Sequence, residues 1–166
     1  MTEQTVRFSL PLLAPGQAQK EFFHNEALAA IDAALHPVVE DAGTVVPPTD
    51  PAAGQAWIAG AAAGGDWAGA DGKICIATAG GWRFIAPVDG MTAWNRAAGC
   101  WSIWDGSDWK NGEFPVSRIL VNGVQVLGDR QAAISDPAGG ATVDAQSRAA
   151  IAAMLEALRQ HGLIAG

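Results

Sequence analysis

Tryptophan residues are concentrated between residues 91 and 112, where the sequence MTAWNRAAGCWSIWDGSDWKNG holds four of the seven tryptophans together with Asp105 and Asp108. An exposed indole ring can stack on the apolar face of a sugar while neighbouring carboxylates and amides bond the sugar's hydroxyl groups. Tryptophans equally build cores or the centres of subunit interfaces. The sequence leaves these alternatives open. The candidate glycan-binding residues are Trp67, Trp94, Trp109, Asp105 and Asp108.

The position of each tryptophan in the chain predicts its exposure. Trp67 and Trp109 lie in or beside loops and are expected to be exposed, whereas Trp94 is intermediate. The other four lie in strand-like runs that alternate with polar or small residues, so we expect several of them in the core. These four are Trp57, Trp82, Trp101 and Trp104.

A β-hairpin is predicted around residue 105. Residues 100–104 would alternate their side chains between two faces of a strand. The Asp-Gly-Ser-Asp segment that follows is typical of a turn, because glycine tolerates positive φ and aspartate accepts hydrogen bonds from its own downstream backbone. Such a hairpin would bring Trp104 and Trp109 together as a cross-strand pair.

Residues suited to catalysis do not converge in the sequence. His24, Glu26 and Asp32 share a predicted helix, but residues 24 and 26 do not share a face of it, so we expect helix-surface or capping roles. No serine lies in a G-x-S-x-G motif. Cys75 and Cys100 lie in apolar runs and are expected to be buried free thiols. No catalytic residue is predicted, and we expect a protein that is not an enzyme.

Carboxylates in the glycine-rich loops raise two further alternatives. Glycan cleavage would require a carboxylate pair facing the tryptophans, for which Asp105 and Asp108 are the obvious candidates. Calcium could bind these residues or Asp66 and Asp71, but no loop matches the EF-hand pattern, so turn formation is favoured. Neither a zinc-type Cys/His spacing nor a phosphate-binding loop is present in the sequence. No metal and no cofactor are predicted.

Charge and hydropathy limit the partners. The chain has 10 Lys and Arg against 17 Asp and Glu, a net charge of −7, and no basic cluster. Nucleic acid and anionic membrane surfaces are therefore not expected as partners. The sequence begins without a secretory signal, and no run approaches the length of a transmembrane helix. We expect a protein that is made in the cytoplasm and does not insert into a membrane.

The predicted fold class is α+β, in three regions. Residues 1–40 form a proline-containing arm and an amphipathic helix over about residues 17–35. Short strand-like runs between glycine- and aspartate-rich loops predict a Trp-rich antiparallel β-domain over residues 41–112, as a small sandwich or barrel. The run Val45-Val46 is one of its strand candidates.

The third region, residues 113–166, is predicted to hold a hairpin and a helix. Asn122-Gly123 suits a type I′ turn between two apolar strands. The helix is expected over about residues 143–160, with Thr142 as its N-cap and Gly162 as its C-cap.

A longer motif carries a family resemblance. The segment LPLLAPGQAQK at residues 10–20, continued by HNEAL at residues 24–28, resembles the opening of a family called domain of unknown function 2793. The later segments PAAGQAW, WAG and GWRF resemble it too, so the resemblance covers roughly residues 8–110. That family occurs in alphaproteobacterial prophages and gene transfer agents, and residues 128–164 are similar to the ends of phage-like fibre proteins. The resemblance implies a virion protein, a head spike or tail fibre, without catalytic residues.

The expected function follows from the resemblance and the tryptophans together. We expect a structural component of a phage-like or gene transfer agent particle that contributes to host attachment by binding surface polysaccharide. A purely architectural connector without glycan affinity is the near alternative, and a glycan-cleaving depolymerase is the second. Other particle proteins are expected partners, and a homo-oligomer, preferably a trimer, is expected because the arm and both helices offer apolar surface. Its interface candidates are Leu10, Leu12, Phe23, Ile31, Ile151, Met154 and Leu158.

Overall fold

A computed structural model describes residues 4–13, 16, 20–142 and 144–165. The chain divides into two compact units, Met1–Phe114 and Pro115–Gly166, called here the N-terminal and C-terminal units. The border predicted near residue 112 lies close to this division. The border predicted at residue 40 lies inside the N-terminal unit. Within the described ranges, no helix combines the length and apolar character needed to cross a membrane.

The described elements confirm the α+β class. The N-terminal unit contains helix α1 (Lys20–Ala34), strands β1 (Val38–Val39), β2 (Ala42–Thr44), β3 (Ala56–Ala59), β4 (Ile74–Thr78), β5 (Gly81–Ile85), β6 (Thr92–Asn95), β7 (Cys100–Trp104) and β8 (Trp109–Asn111), and a 3₁₀ turn at Gly65–Trp67. The C-terminal unit contains strands β9 (Ile119–Val121) and β10 (Val124–Leu127) and helix α2 (Ala145–Gln160).

The N-terminal unit has two open four-stranded sheets instead of a closed barrel. Their strand orders are β1-β6-β7-β8 and β2-β3-β4-β5. Most neighbours are antiparallel, as predicted, but β1 runs parallel to β6 and β2 runs parallel to β3. The segment from β1 to β2 passes from one sheet to the other and supplies an edge strand to each. Val45 and Val46 lie beyond β2 and are exposed, so the strand predicted at these two residues is wrong.

The main hydrophobic core joins both sheets and α1. Val39 and Ala93 come from the first sheet, Ile58 and Ile74 from the second, and Ala33 from the helix. Burying one isoleucine side chain contributes about 1.5–3 kcal/mol. This shared core fits the sandwich alternative of the prediction.

A buried carboxylate attaches the N-terminal arm to α1. Asp32 is 4% exposed and accepts hydrogen bonds from Thr5 Oγ1 at 2.7 Å, Phe8 N at 2.7 Å and Arg7 N at 3.0 Å. Burial raises the pKa of Asp32, but these hydrogen bonds and the charge of Arg7 outweigh burial and lower the pKa overall. The surface role expected for Asp32 is therefore wrong, because the arm folds over this side of the helix.

The guanidinium of Arg7 completes the attachment at the end of α1. Its nitrogens donate to the carbonyl oxygens of Ala33 at 2.9 Å and His36 at 2.7 Å. The last carbonyls of a helix have no intrahelical partner, so a cation placed there stabilises the helix end. Further along the arm, Asn25 donates to and accepts from the backbone of Leu13. These two hydrogen bonds hold the arm against α1.

The C-terminal unit confirms the predicted hairpin and corrects one helix cap. Asn122 and Gly123 have φ values of 50° and 79°, as a type I′ turn requires. Helix α2 is capped by Asp144, whose carboxylate accepts from the N–H groups of Gln146 and Ser147, so the prediction of Thr142 as N-cap is wrong. The helix begins later than expected, which places Asp144 in the extended N-cap position. Gly162 follows the helix with φ of 70°, as its predicted capping role requires.

We predict that Asp32→Ala destabilises the protein by about 2–4 kcal/mol, because it leaves buried donors of the arm without an acceptor. Denaturant unfolding followed by circular dichroism measures this loss. The lowered folded-state pKa gives the effect a pH dependence. The contribution of Asp32 is complete above its unfolded-state pKa and disappears as the pH falls through the folded-state value. The difference between the parent protein and the variant should therefore shrink in acid.

Asp50→Ala is the matched control, since Asp50 is an exposed carboxylate in the same unit. We expect it to change the free energy of unfolding by less than about 0.5 kcal/mol. An equal loss in both variants would contradict the role assigned to Asp32.

Candidate functional site

Trp104 and Trp109 form the cross-strand pair predicted from the sequence. They face each other in the β7–β8 ladder, with ring centroids 5.8 Å apart and an interplanar angle of 61°. The Nε1 of Trp109 donates to the carbonyl oxygen of Gly72 at 2.8 Å. Gly72 has φ of 71°, and a Cβ there would lie 3.4 Å from the ring of Trp104. Glycine at this position therefore suits both the backbone conformation and the close approach of the ring.

Asp105 organises the turn that joins β7 to β8. Its Oδ1 accepts from Asp108 N at 2.8 Å and from both N and Oγ of Ser107 at 2.9 Å, which confirms the predicted turn chemistry. These hydrogen bonds, that from Asp108 N first, lower the pKa of Asp105 well below its ordinary value. Lys110 Nζ lies 3.5 Å from Asp105 Oδ2, and the charge of Asp105 raises the pKa of Lys110.

An open cleft of about 370 Å³ lies beside the tryptophan pair, called here the Trp104/Trp109 cleft. One wall comes from β7, β8 and their turn, and the other from β2, β3 and the loop before β4. Its lining residues are Ala42, Gly43, Ile58, Ala59, Gly60, Ala61, Asp71, Gly72, Trp104, Ser107, Asp108, Trp109 and Asn111.

The polar groups of the cleft differ in how much bonding capacity they retain. Asp71 accepts from the backbone N–H groups of Ala62 and Ala63 at 3.0 and 3.2 Å, so it holds the loop. The Asp108 side chain is 71% exposed, with Lys110 Nζ 3.6 Å away. Asn111 accepts from Ser102 Oγ through Oδ1, which leaves its Nδ2 group as a donor for the cleft. The lining contains two carboxylates and no basic side chain among the described residues.

Trp67 is fully buried, so its predicted exposure is wrong and it cannot offer a stacking surface. The 3₁₀ turn at Gly65–Trp67 directs the ring into a second core cluster. Its ring centroid lies 5.0 Å from that of Trp82 and 6.2 Å from that of Trp57, which are both half-buried. Small alanines surround the cluster, and their recurrence beside Trp67 is the signal in the sequence that could have indicated burial.

Trp94 and Trp101 form a separate pair on the outer face of the first sheet. They are 36% and 42% exposed, with ring centroids 5.5 Å apart. Their strand neighbours Ala93 and Ser102 point inward and are fully buried. Because alternate residues of a strand face opposite sides, these small inward residues place the rings outside. Trp101 is therefore not among the strand tryptophans that belong to the core, and Trp94 lies outside the Trp104/Trp109 cleft.

Glu26 of α1 forms an ion pair with the second sheet. Arg83 on β5 donates to both carboxylate oxygens of Glu26, at 2.7 and 2.8 Å, and thereby ties the helix to the second sheet. This hydrogen bonding lowers the pKa of Glu26. In the part of the chain that the structure describes, no three His, Cys, Asp or Glu residues come together as metal ligands.

The predicted interface residues differ in accessibility. Phe23 and Ile31 of α1 and Ile151 and Met154 of α2 are exposed. Leu10, Leu12 and Leu158 are half-buried. The apolar stripe expected on α1 is therefore present on the solvent side, and the opposite side carries Asp32 and Ala33.

We predict that the native protein has one accessible thiol. Both cysteines are free, and burial raises the pKa of Cys75 to about 11, whereas Cys100 is half-buried. A chromogenic disulfide reagent at neutral pH should titrate Cys100 in the folded protein and Cys75 only after denaturation. Cys100→Ser should abolish the native reaction, and Cys75→Ser should preserve it. Reaction of both thiols at the same rate without denaturant would contradict the burial of Cys75.

Comparison with known proteins identifies the family. No curated protein matches this chain. Residues 24–110, just over half of the chain, match the family described as a protein of unknown function, DUF2793. The match extends from within α1 into β8 and includes both tryptophans of the cleft. The chain therefore belongs to the DUF2793 family.

Proposed function

We propose that this protein is a non-enzymatic structural component of a phage-like or gene transfer agent particle, a head spike or tail fibre, that binds host-surface polysaccharide. The observation that carries the binding role is the Trp104/Trp109 cleft, where an aromatic pair lies beside exposed polar side chains. The particle role rests on the resemblance of the sequence to a family found in prophages and gene transfer agents.

The chemistry of the cleft suits a sugar. Two indole rings supply apolar faces, Asp108 can accept from hydroxyl groups, and the Nδ2 of Asn111 can donate to one. A volume of about 370 Å³ lies within the range of small-molecule sites, roughly 300–1,000 Å³. The open shape would allow a polysaccharide that is longer than the cleft to pass through it. Because carboxylates line the cleft without a basic residue, neutral or amino sugars fit it better than acidic ones.

The carboxylates of the β7–β8 turn support binding over cleavage. A general acid that cleaves a glycosidic bond near neutral pH needs a raised pKa. The pKa of Asp105 is lowered instead, and its Oδ1 is engaged by the turn. Asp105 is therefore better suited to supporting the wall of the cleft than to donating a proton. A depolymerase remains the enzymatic alternative, and an architectural connector without glycan affinity remains the structural one.

The test is a fluorescence titration of the purified protein with polysaccharide extracted from the host surface. All seven tryptophans lie between residues 57 and 109, so their emission reports on the N-terminal unit. We expect a saturable change in emission. Trp104→Ala should weaken binding about tenfold, equivalent to about 1.4 kcal/mol. Asp108→Ala should weaken it too, and this exposed side chain can be removed without disturbing the core.

Trp101→Ala is the matched control, because Trp101 belongs to the outer pair and not to the cleft. It should retain the affinity of the parent protein. Loss of binding in Trp101→Ala alone would show that the site is on the outer face of the first sheet. A titration without any change in emission would favour the connector without glycan affinity. Release of reducing sugar ends would establish a depolymerase.

A further inference from the structure

The hairpin of β9 and β10 exposes apolar side chains on both of its faces. Its six large apolar residues are all at least 44% exposed, and Val124 reaches 66%. Successive residues of a strand point to opposite faces, so neither face of this hairpin is covered within its own unit. The six residues are Ile119, Leu120, Val121, Val124, Val126 and Leu127.

The C-terminal unit buries little apolar surface to support this hairpin. Among its described residues, Leu155 and Ile164 are the only buried apolar side chains. An isolated two-stranded hairpin is at best marginally stable in water, and small units usually need a staple or a partner. Both cysteines lie in the other unit, so no disulfide provides that staple. The exposed hairpin therefore requires a covering surface.

The edges of the hairpin are unprotected. Proteins usually guard exposed strand edges with lysine, proline or inward-pointing charge, because an open edge pairs with another chain. Residues 119–127, with the sequence ILVNGVQVL, contain no charged residue and no proline. In the described sheet, β9 and β10 pair only with each other, so each has one open edge. This hairpin is thus suited to strand pairing or face-to-face packing with another hairpin.

The distribution of charge favours a second copy of this chain as the partner. Residues 115–166 contain four arginines and four acidic residues, so this unit has no net charge. The entire net charge of the chain, −7, therefore lies in the N-terminal unit. Copies of the chain repel one another through their N-terminal units but not through their C-terminal units. An uncharged hairpin offers no complementary group to a charged partner, whereas two copies can pair their open edges and apolar faces without like-charge repulsion.

We propose that the β9–β10 hairpin is the self-association surface of this protein, where copies of the chain bury its apolar residues against one another. This surface differs from the one expected from the sequence, which consisted of the arm, α1 and α2. The proposal is independent of glycan binding, since the Trp104/Trp109 cleft belongs to the N-terminal unit.

Light scattering on the full-length protein tests the proposal. The parent protein should have a native mass that is a multiple of 17.1 kDa. Val124→Lys, at an exposed position of the hairpin, should reduce it to the mass of one chain. Ile134→Lys, at a position that is also exposed but lies outside the hairpin and α2, should retain the oligomer. A parent protein of single-chain mass, or a Val124→Lys protein of unchanged mass, would overturn the proposal.

Further measurements separate association from misfolding and from an interface on α2. Far-UV circular dichroism of Val124→Lys should match that of the parent protein, as expected if the hairpin and α2 stay folded. Tryptophan emission should also be identical in all variants, as expected if the N-terminal unit, which contains every tryptophan, is unchanged. Met154→Lys tests the exposed stripe of α2, and dissociation of this variant while Val124→Lys stays assembled would overturn the hairpin as the interface. Val124→Cys in a Cys100→Ser background should form a covalent dimer under mild oxidation. An intact oligomer without that cross-link would contradict contact between hairpins.

Discussion

One hydrogen bond connects the two sheets of the N-terminal unit beside the cleft. The indole N–H of Trp109, in the last strand of the first sheet, donates to the carbonyl of Gly72, just before β4 of the second. The same ring packs against the core that both sheets share. A cleft between two sheets changes width when either sheet shifts. The hydrogen bond and the packing of Trp109 therefore fix the distance between the two walls. The positions of Asp108 and Asn111 around the cleft depend on that distance.

Buried or engaged carboxylates hold the irregular parts of this unit. Asp32 accepts the backbone N–H groups of the arm, Asp71 those of the loop after β3, and Asp105 those of the β7–β8 turn. Backbone donors in such segments have no strand neighbour, so an aspartate side chain takes the place of one. Asp32 and Asp105, two of the carboxylates considered for catalysis, therefore hold segments of the backbone in place. Asp108 is different, because its side chain extends into solvent at the cleft.

The two units divide charge and apolar surface between them. The N-terminal unit carries the net negative charge and the shared core, whereas the C-terminal unit is neutral and leaves its hairpin uncovered. A charged unit that stays separate and a neutral unit that associates would suit a particle component that presents several binding clefts. Repeated clefts on one assembly strengthen binding to a repetitive polysaccharide without any new contact.

Local patterns in the sequence predicted a large part of this architecture. The α+β class, the β7–β8 hairpin with its Asp105 turn, the Trp104 and Trp109 pair and the type I′ turn at Asn122 all depend on neighbours within a few residues. Turn chemistry and strand alternation act at that range, so the sequence alone determines them.

Only the tertiary structure decided which tryptophans meet solvent and which carboxylate is buried. Trp67 is buried because distant strands supply the alanine-lined space and the rings of Trp57 and Trp82 around it. Trp101 is exposed because the small residue Ser102 takes the inward position of its strand. Asp32 is buried because an arm more than twenty residues away folds over it. Whether a side chain is exposed depends on which other segments pack against it as well as on the residue itself. The spacing of neighbouring residues carries no information about a segment that comes from elsewhere in the chain.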